Sequence, residues 1–421
     1  MLSLQESDKK DGDTLNKNKN ALKIPMYIFA FSATVLLTFQ TTFLLVNDFW
    51  QRRVTDMVAT DRTALSESLT SLDGIVKSKS VYAADTASLI DGAMGGYLSG
   101  LGDRYAMYMN SEQYSDYIAA SAQGSSVGIG ISSLYDSSKN GIYVVNVYAD
   151  SPAQKAGIVP GDTITSVNGV AVSESGFYGA MLKIGSGEAY SSVLLKVRKS
   201  DGTSEDITVP RDIVSVNNVS TRIIHDNVGV ISISEFTGTV TDDFKKCAEE
   251  LIKNGADRFI IDIRNNPGGD TDNVASLLDF ILPDGTTITG ADRDGSAKTY
   301  KSDVNQFSYP MTVLVNRNTV CGAELFAAAM KDFGRASLVG ETTYGKATVQ
   351  SIFPLSDGAA SFSTMLFTTP SGSSFDGDGI APDYEISQRT QVSENGEITD
   401  AQLEKAAEVV LAVQDMSPAN Q

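Results

Sequence analysis

Histidine and cysteine are the scarcest chemistry-bearing residues in this sequence of 421 residues. His225 is the single histidine, and the two cysteines, Cys247 and Cys321, lie far apart. This scarcity argues against a zinc site of the usual ligand spacing and gives no strong support to a histidine-based triad. We therefore expect no metal and no cofactor. Two cysteines cannot make a disulfide framework, although one bond between them remains open.

The chain also lacks an excess of positively charged residues. The chain has 33 Lys and Arg against 52 Asp and Glu, which gives a net charge of -19. A nucleic-acid backbone is bound by clustered basic side chains, so nucleic acid is not expected as the main partner. The hydrophobic content of 42% is ordinary for globular protein, and the length allows two or three domains.

Charge is absent from one long segment near the N-terminus. Residues 24–46 run for 23 positions without a charged side chain, and a helix of that length spans about 30 Å of hydrocarbon. Because no small-residue cleavage site follows, we predict a single uncleaved transmembrane anchor; a buried core helix is the alternative. The lysines before the run favour a cytoplasmic polar tail at residues 1–23 and place the rest outside the cell membrane.

The pattern of residue types then changes along the chain. Residues 49–120 are predicted to be largely helical. Residues 121–212 contain short β-branched runs between Gly, Asp and Asn, which indicates a small β-rich module. Residues 213–390 alternate apolar runs with helical patterns, which is typical of an α/β core, and residues 391–421 predict a C-terminal helical tail.

Cys321 stands just before one of the predicted helices. The stretch after Gly322 is rich in Ala, Leu, Phe and Met, and Gly334 is a suitable stop signal. Unpaired backbone N–H groups and the positive end of a helix dipole favour a thiolate at such a position, as in reactive cysteines. On position alone, a buried and inert thiol is the commoner situation.

The β-rich module resembles a PDZ domain in two motifs. "SVGIGI" stands where family members bind the terminal carboxylate of a peptide, and "SPAQKAGIVPGDTITSVNGV" matches the helix, turn and strand that follow. Glycines in the first motif let successive backbone N–H groups converge on an anion, and the strand edge beside them can add an extended peptide. The alternative is a tightly packed strand. The resemblance implies a peptide-binding site at Val127, Gly128, Ile129, Gly130 and Ile131.

Residues from about 75 to 415 resemble the C-terminal processing peptidases of family S41, which carry a PDZ insertion before a Ser-Lys core. The matching motifs are "GLGDRYAMYM", "IIDIRNNPGGD", "YGKATVQ" and "DGDGIAPDYEI". Cys321 stands at the position of the nucleophilic serine, and Lys346 follows it by the family's common spacing of 25 residues. The resemblance implies a Cys321–Lys346 dyad with Gln350 as third residue. Ala347 departs from the family's Gly-Lys-Gly pattern.

Together with the uncharged run at residues 24–46, this resemblance predicts an α/β catalytic core like that of S41 peptidases, with an inserted β-rich PDZ domain, an N-terminal helical segment and a single transmembrane helix. If "KATVQ" is a strand, Lys346 and Gln350 share a face, so the amide orients the amine. Backbone N–H groups are expected to form the oxyanion hole, from Gly268 or Gly269 together with Gly322.

Three functional interpretations remain open. The leading one is a membrane-anchored endopeptidase whose substrates are proteins and peptides with free C-termini. The second is a degenerate peptidase that retains the peptide-binding module and scaffold without turnover, although the retained Lys346 and Gln350 argue against wholesale decay. The third is a redox lock between Cys247 and Cys321. Self-association into a homo-oligomer is compatible with all three.

Overall fold

The computed structural model describes residues 63–83, 85–122, 127–185, 187–214, 218–304, 307–387, 390–392 and 398–413. The chain divides into two units, Met1–Leu89 and Ile90–Gln421. Residues 63–79 of the first unit form helix α1, and helix α2 (Thr86–Ser99) begins in that unit and ends in the second.

The predicted membrane anchor is not among the described residues. Within the ranges above, no helix combines the length and the apolar character needed to cross a bilayer. The anchor at residues 24–46 and the polar tail at residues 1–23 both lie outside these ranges.

The second unit is built around a six-stranded sheet in which five neighbouring strands run parallel and the first is antiparallel. Apolar runs such as Arg258–Asp262 and Met311–Val315 form its central strands and are almost wholly buried. Continuous apolar runs are expected where both faces of a parallel sheet are covered. In sheet order the strands are β10 (Val219–Ile224), β11 (Val228–Ile233), β12 (Arg258–Asp262), β15 (Met311–Val315), β16 (Ser337–Gly340) and β19 (Tyr384–Glu385).

Helices cover both faces of this sheet. Alternate residues along the strands separate into two hydrophobic clusters; Ile261 and Val313, for example, belong to one, whereas Ile260 and Leu314 belong to the other. The larger cluster includes α6 (Val240–Lys253), α7 (Thr271–Ile281) and α8 (Gly322–Asp332), and the smaller one includes α9 (Ala401–Ala412).

A second, antiparallel sheet lies beside this core and connects distant parts of the chain. Strand β18 (Gly358–Thr368) pairs with three strands, namely β1 (Met107–Met109), β13 (Gly285–Asp292) and β17 (Thr348–Leu355). Strand β14 (Ala297–Ser302) pairs with β13 on the far side. Strand β1 therefore joins the segment before the β-rich module to the strand pair that follows the predicted catalytic lysine. Helix α3 (Ser111–Ala122) comes after β1.

The β-rich module forms its own six-stranded antiparallel sheet around a separate hydrophobic cluster. The short strands β2 (Val127–Gly128) and β9 (Asp212–Ile213) pair with each other at its two chain ends. Within the described part of the chain, β3 (Ile131–Tyr135) is an edge strand of the sheet. The other elements are β4 (Ile142–Val147), α4 (Pro152–Lys155), β5 (Thr163–Val167), β6 (Val170–Ala171), α5 (Val172–Gly185), β7 (Ser192–Arg198) and β8 (Ser204–Pro210).

The sequence predictions of element type are therefore confirmed for the α/β core and the β-rich insertion. Residues 391–421 were predicted to form a helical tail. In the described part of this region, a strand pair comes first, β20 (Thr390–Val392) with β21 (Ile398–Asp400), and the predicted helix follows as α9. Helix α9 buries its apolar face, including Leu403 and Val410, on the central sheet. It belongs to the core because the parallel sheet needs cover on its second face.

Candidate active site

Cys321 lies at a sharp turn between the parallel sheet and α8. It is the N-cap residue of α8, and its backbone has φ 54° and ψ -115°. A positive φ is uncommon for a residue with a side chain, and such strain is often found at functional sites. Helix α8 ends at Asp332, and Gly334 follows with φ 62°. Both ends of this helix agree with the sequence prediction.

A buried carboxylate, Glu324, holds this turn. Its Oε2 atom accepts a hydrogen bond from the backbone N–H of Cys321 at 2.9 Å and another from the backbone N–H of Lys346 at 2.8 Å. Its Oε1 atom accepts from the N–H of Gly345 at 2.7 Å and from the Thr343 hydroxyl at 2.5 Å. The side chain of Glu324 has no solvent exposure. One carboxylate thus connects the backbones of the two proposed dyad residues.

The burial of Glu324 has an electrostatic consequence. Loss of solvent raises the pKa of this carboxyl above its ordinary value, against the opposing effect of the donors around it. A buried carboxylate without partners would be costly, so these four donors are required for the site to form.

Lys346 and Gln350 are in contact, although β17 begins only at Thr348 and Lys346 precedes the strand that was predicted to carry both residues. The Nζ atom of Lys346, which is only 9% exposed, donates to Gln350 Oε1 at 2.8 Å. The Nε2 atom of Gln350 donates to the hydroxyls of Thr348 and Ser363, both at 3.1 Å, and this fixes its oxygen towards the amine. In the part of the chain that is described, the amine donates to this amide and not to the Cys321 sulfur.

Three glycine residues, Gly268, Gly269 and Gly322, shape the space beside Cys321. A side chain at Gly268 would bring its Cβ within 3.2 Å of the Cys321 Cβ and 2.7 Å of the Gly322 nitrogen. The φ of 102° at Gly268 and of 132° at Gly269 also disfavours any other residue there. The N–H of Gly268 is donated to Asn266 Oδ1 at 2.8 Å. Among the described residues, the N–H groups of Gly269 and Gly322 have no acceptor.

The β-rich module packs directly against Cys321. Leu134, Tyr143 and Val145 on strands β3 and β4 share a hydrophobic cluster with Val320, Cys321 and Tyr344. The hydroxyl of Tyr143 donates to Asn318 Oδ1 at 2.6 Å, and the hydroxyl of Tyr344 donates to Asp136. The two parts of the second unit therefore meet at Cys321 itself.

The predicted peptide-binding loop lines a separate cavity of about 250 Å³. Within the described residues, neither Ile129 nor Gly130 gives its backbone N–H to another protein group. The apolar side chains of Met181 and Ile184 on α5 form the opposite wall. The cavity thus combines free N–H donors with an apolar pocket. The lining residues are Val127, Gly128, Ile129, Gly130, Ile131, Tyr148, Met181, Ile184, Gly185 and Val214.

Other chemistries find little support in the described part of the chain. It contains no group of three or more His, Cys, Asp or Glu side chains that could hold a metal ion. Both cysteines are free thiols, and Cys247 packs against the main core, whereas Cys321 belongs to a different cluster.

Sequence reasoning missed two contributors to the site. Glu324 stands three residues after Cys321, and this N-cap to N3 spacing is the signal that could have revealed its hydrogen bond to the Cys321 N–H. Tyr105 lies with its ring centroid 5.0 Å from the Lys346 Nζ atom. Tyr105 lies within the motif "GLGDRYAMYM", but no spacing pattern connects it with the lysine, because 241 positions separate the two residues.

Comparisons with known proteins identify the same regions. The sequence model described as peptidase family S41 matches residues 227–386, and a PDZ domain model matches residues 143–199. Carboxy-terminal processing protease CtpB of Bacillus subtilis is 32% identical over 325 residues, which cover 75% of this chain and 66% of that protein. The chain thus spans slightly less than two thirds of that relative.

Two further relatives are covered more completely. The carboxyl-terminal-processing protease of Picosynechococcus sp. is 32% identical over 338 residues, covering 78% of this chain and 81% of that protein. The solved structure of a photosystem II D1 C-terminal processing protease superposes with a TM-score of 0.63 at 25% identity. That match covers 75% of this chain and 87% of the other.

Proposed function

Since this chain belongs to peptidase family S41, we propose that it is an endopeptidase that recognises the C-terminal tails of proteins and cleaves peptide bonds with a Cys321–Lys346 dyad. The observation that carries this proposal is the shared hydrogen-bond acceptor, Glu324 Oε2, which connects the backbones of both residues. The contact between Lys346 and Gln350 supports it, because the amide orients the amine that must move the proton.

The tail of the substrate binds first, in the cavity of the PDZ domain. The free N–H groups of Ile129 and Gly130 receive the terminal carboxylate, and the apolar wall receives the last side chain. Charge-assisted hydrogen bonds of this kind select a free carboxylate over a neutral amide.

Acyl transfer then takes place at Cys321. The proton of the thiol passes to the Lys346 amine, and the sulfur attacks the scissile carbonyl carbon to form a C–S bond. The N–H groups of Gly269 and Gly322 donate to the oxyanion; one such donor typically contributes about 3 kcal/mol. Gly268 shapes the site rather than donating, because Asn266 already accepts its N–H.

The dyad is then regenerated in two proton transfers. Protonated Lys346 returns its proton to the leaving nitrogen as the C–N bond breaks, which leaves a thioester. Neutral Lys346 next accepts a proton from water, and the resulting hydroxide attacks the thioester carbon. The C–S bond breaks and releases Cys321 as a thiolate, which restores the thiolate–ammonium pair that the first proton transfer formed.

A second candidate function is peptide binding without turnover. It is favoured by the thiol at the family's serine position and by the PDZ residues that pack on it. The intact geometry around Lys346 and Gln350 argues for the enzyme, because a site that had lost its chemistry would not need an oriented lysine.

The experiment compares cleavage of an unstructured protein with an apolar C-terminus by the full-length chain and three variants. Cys321→Ala and Lys346→Ala should abolish cleavage, whereas Cys321→Ser should retain it, because the family uses a hydroxyl with the same lysine. If Cys321→Ala cleaves as fast as the parent, the catalytic assignment is wrong. If neither the parent nor Cys321→Ser cleaves while peptides still bind, the binding function replaces it.

The cellular location is proposed from the sequence alone. The uncharged run at residues 24–46 supports a single-pass anchor with a cytoplasmic N-terminus and with the PDZ and peptidase domains outside. Protease added to intact cells should then digest both domains and leave the N-terminal tail protected. Recovery of the full-length chain in the soluble fraction would exclude the anchor.

A further inference from the structure

The segment before strand β1 is connected to the lysine site by a second, partly buried network of hydrogen bonds. Asp103 Oδ1 accepts from the backbone N–H of Tyr105 at 2.9 Å, and Asp103 Oδ2 accepts from the backbone N–H of Ser363 at 2.7 Å. Ser363 is also the residue whose hydroxyl accepts from Gln350. The position of Tyr105 is therefore set by the same residue of β18 that helps to orient the lysine's partner.

Tyr105 presents its ring to the lysine amine. The Nζ atom of Lys346 lies 5.0 Å from the ring centroid, and Tyr105 is only 5% exposed. The ring hydroxyl accepts from the guanidinium of Arg104, which also donates to the Gly345 carbonyl at 3.3 Å. An aromatic face attracts an ammonium group most strongly where water is excluded, as it is here.

The charged groups around the Lys346 amine indicate which groups can stabilise its positive charge. The Arg104 guanidinium also lies over the Tyr105 ring, 4.9 Å from its centroid, and its positive charge opposes a second positive charge on Lys346. The nearby carboxylates are engaged elsewhere: Glu324 and Asp376 accept backbone N–H groups, and Asp136 lies 3.7 Å from the Arg104 guanidinium. Among the described residues, the amine itself donates to the Gln350 amide and lies near the face of the Tyr105 ring.

We propose that Tyr105 is a positioning residue for the reaction, whose ring stabilises the ammonium form of Lys346 and thereby the thiolate of Cys321. This inference rests on the proposed function, because it assigns a role within the same dyad. A thiol nucleophile differs from a hydroxyl in that the thiolate–ammonium pair can be its resting state. A group that favours the ammonium therefore favours the reactive form of the enzyme.

The test measures alkylation of Cys321 by iodoacetamide as a function of pH in the full-length chain, with Cys247 on the same molecules as the internal reference. Tyr105→Leu should slow alkylation near pH 7 by about tenfold and move its pH midpoint upwards, as expected for loss of a buried cation–π contact. Tyr105→Phe keeps the ring and should stay within about twofold of the parent. Tyr105→Met, which fills the space with a flexible apolar chain, replaces the Leu variant if that variant does not fold.

The same Tyr105 substitution in a Lys346→Ala chain separates this role from simple packing. In Lys346→Ala chains there is no ammonium to stabilise, so Tyr105→Leu should change the alkylation rate no further. The inference is overturned if Tyr105→Leu alkylates like the parent, if Tyr105→Phe is as slow as Tyr105→Leu, or if the Leu effect persists without Lys346. Cleavage that survives Cys321→Ala overturns the proposed function and this inference together, whereas unchanged alkylation in an active enzyme overturns the inference alone.

Discussion

At the residue scale, the proposed site depends on the strained backbone of Cys321 and on the carboxylate that holds it. The φ of 54° at Cys321 is unfavourable by itself. Glu324 compensates by accepting the Cys321 N–H, and the same oxygen accepts the Lys346 N–H. The strain and the dyad spacing are thus maintained by one side chain that does not itself enter the proposed chemistry.

Replacing this carboxylate should separate positioning from binding. Glu324→Gln keeps the size of the side chain but turns an NH2 group towards backbone N–H donors, and each buried donor left unpaired costs about 1–3 kcal/mol. We expect a large loss of kcat with little change in KM, because the peptide-binding cavity is not touched. Kinetics on a tail-bearing substrate, together with peptide binding and thermal unfolding, test this expectation.

Thr343→Val is the matched control for this variant, since it removes one of the four donors to Glu324 and leaves both dyad contacts in place. It should lose much less activity than Glu324→Gln. A Glu324→Gln enzyme with the parental kcat would show that the carboxylate has no positioning role.

At the scale of single elements, the proposed recognition of substrate tails depends on the PDZ loop and on the edge strand β3. A free carboxylate at the end of a peptide can accept the N–H groups of Ile129 and Gly130, and an amide lacks the charge that strengthens those bonds. We therefore expect peptides with an apolar, free C-terminus to bind at least about tenfold more tightly than their amidated forms. Titration of a labelled peptide with the Cys321→Ala chain measures both affinities without cleavage.

Gly130→Ala provides the control for this comparison. A Cβ at Gly130 would lie 2.3 Å from the Ser151 Cβ, and the backbone there has φ 78°. The variant should therefore lose the preference for the free carboxylate along with affinity. Equal affinities of the parent for the two peptide forms would remove the tail-recognition proposal.

At the scale of the whole molecule, an ion-pair network ties the last helix to the central sheet. The guanidinium of Arg264 donates to Asp262 at the end of β12 and to both oxygens of Asp400, which caps α9. Burial disfavours the charge of Asp400, but the hydrogen bonds and charge of Arg264 outweigh it and hold the pKa of this carboxyl below its ordinary value of 3.8.

This network makes stability depend on pH in a defined direction. Because the pKa of Asp400 is lowered on folding, its contribution is fully present above pH 3.8 and is lost as the pH falls through the lower folded-state value. The side chain is 37% exposed, so solvent screens the pair and about 1 kcal/mol is expected, which corresponds to a Tm change of about 2–4 °C.

Asp400→Asn should lower the Tm at pH 7 and flatten its decrease towards pH 3, as followed by circular dichroism. Glu408→Gln on the same helix is the control. Glu408 is exposed and, among the described residues, pairs only with Lys405, so this substitution should leave the Tm unchanged. A parental pH profile for Asp400→Asn would show that the pair contributes nothing to stability.

Patterns that repeat over short distances predicted much of this fold. Apolar runs such as Met311–Val315 identified buried parallel strands, because only a sheet covered on both faces has no polar alternation. The helix start at Cys321 and its stop at Gly334 followed from residue types within one stretch. The contact between Lys346 and Gln350 was predicted from the period of two in a strand. Lys346 lies before β17, however, and the pairing shifts register between Val349 and Gln350, so that period does not account for the contact.

Contacts between distant segments were decided only by the tertiary structure. The backbone N–H of Lys346 reaches the Glu324 carboxylate, 22 positions earlier in the chain, only because the fold brings the two segments together. Likewise, Tyr105 reaches Lys346 only because β1 pairs with β18. A sequence pattern reports the periodicity of one segment. Which group accepts a given N–H, or faces a given amine, depends on how separate segments pack, and that packing is a property of the whole chain.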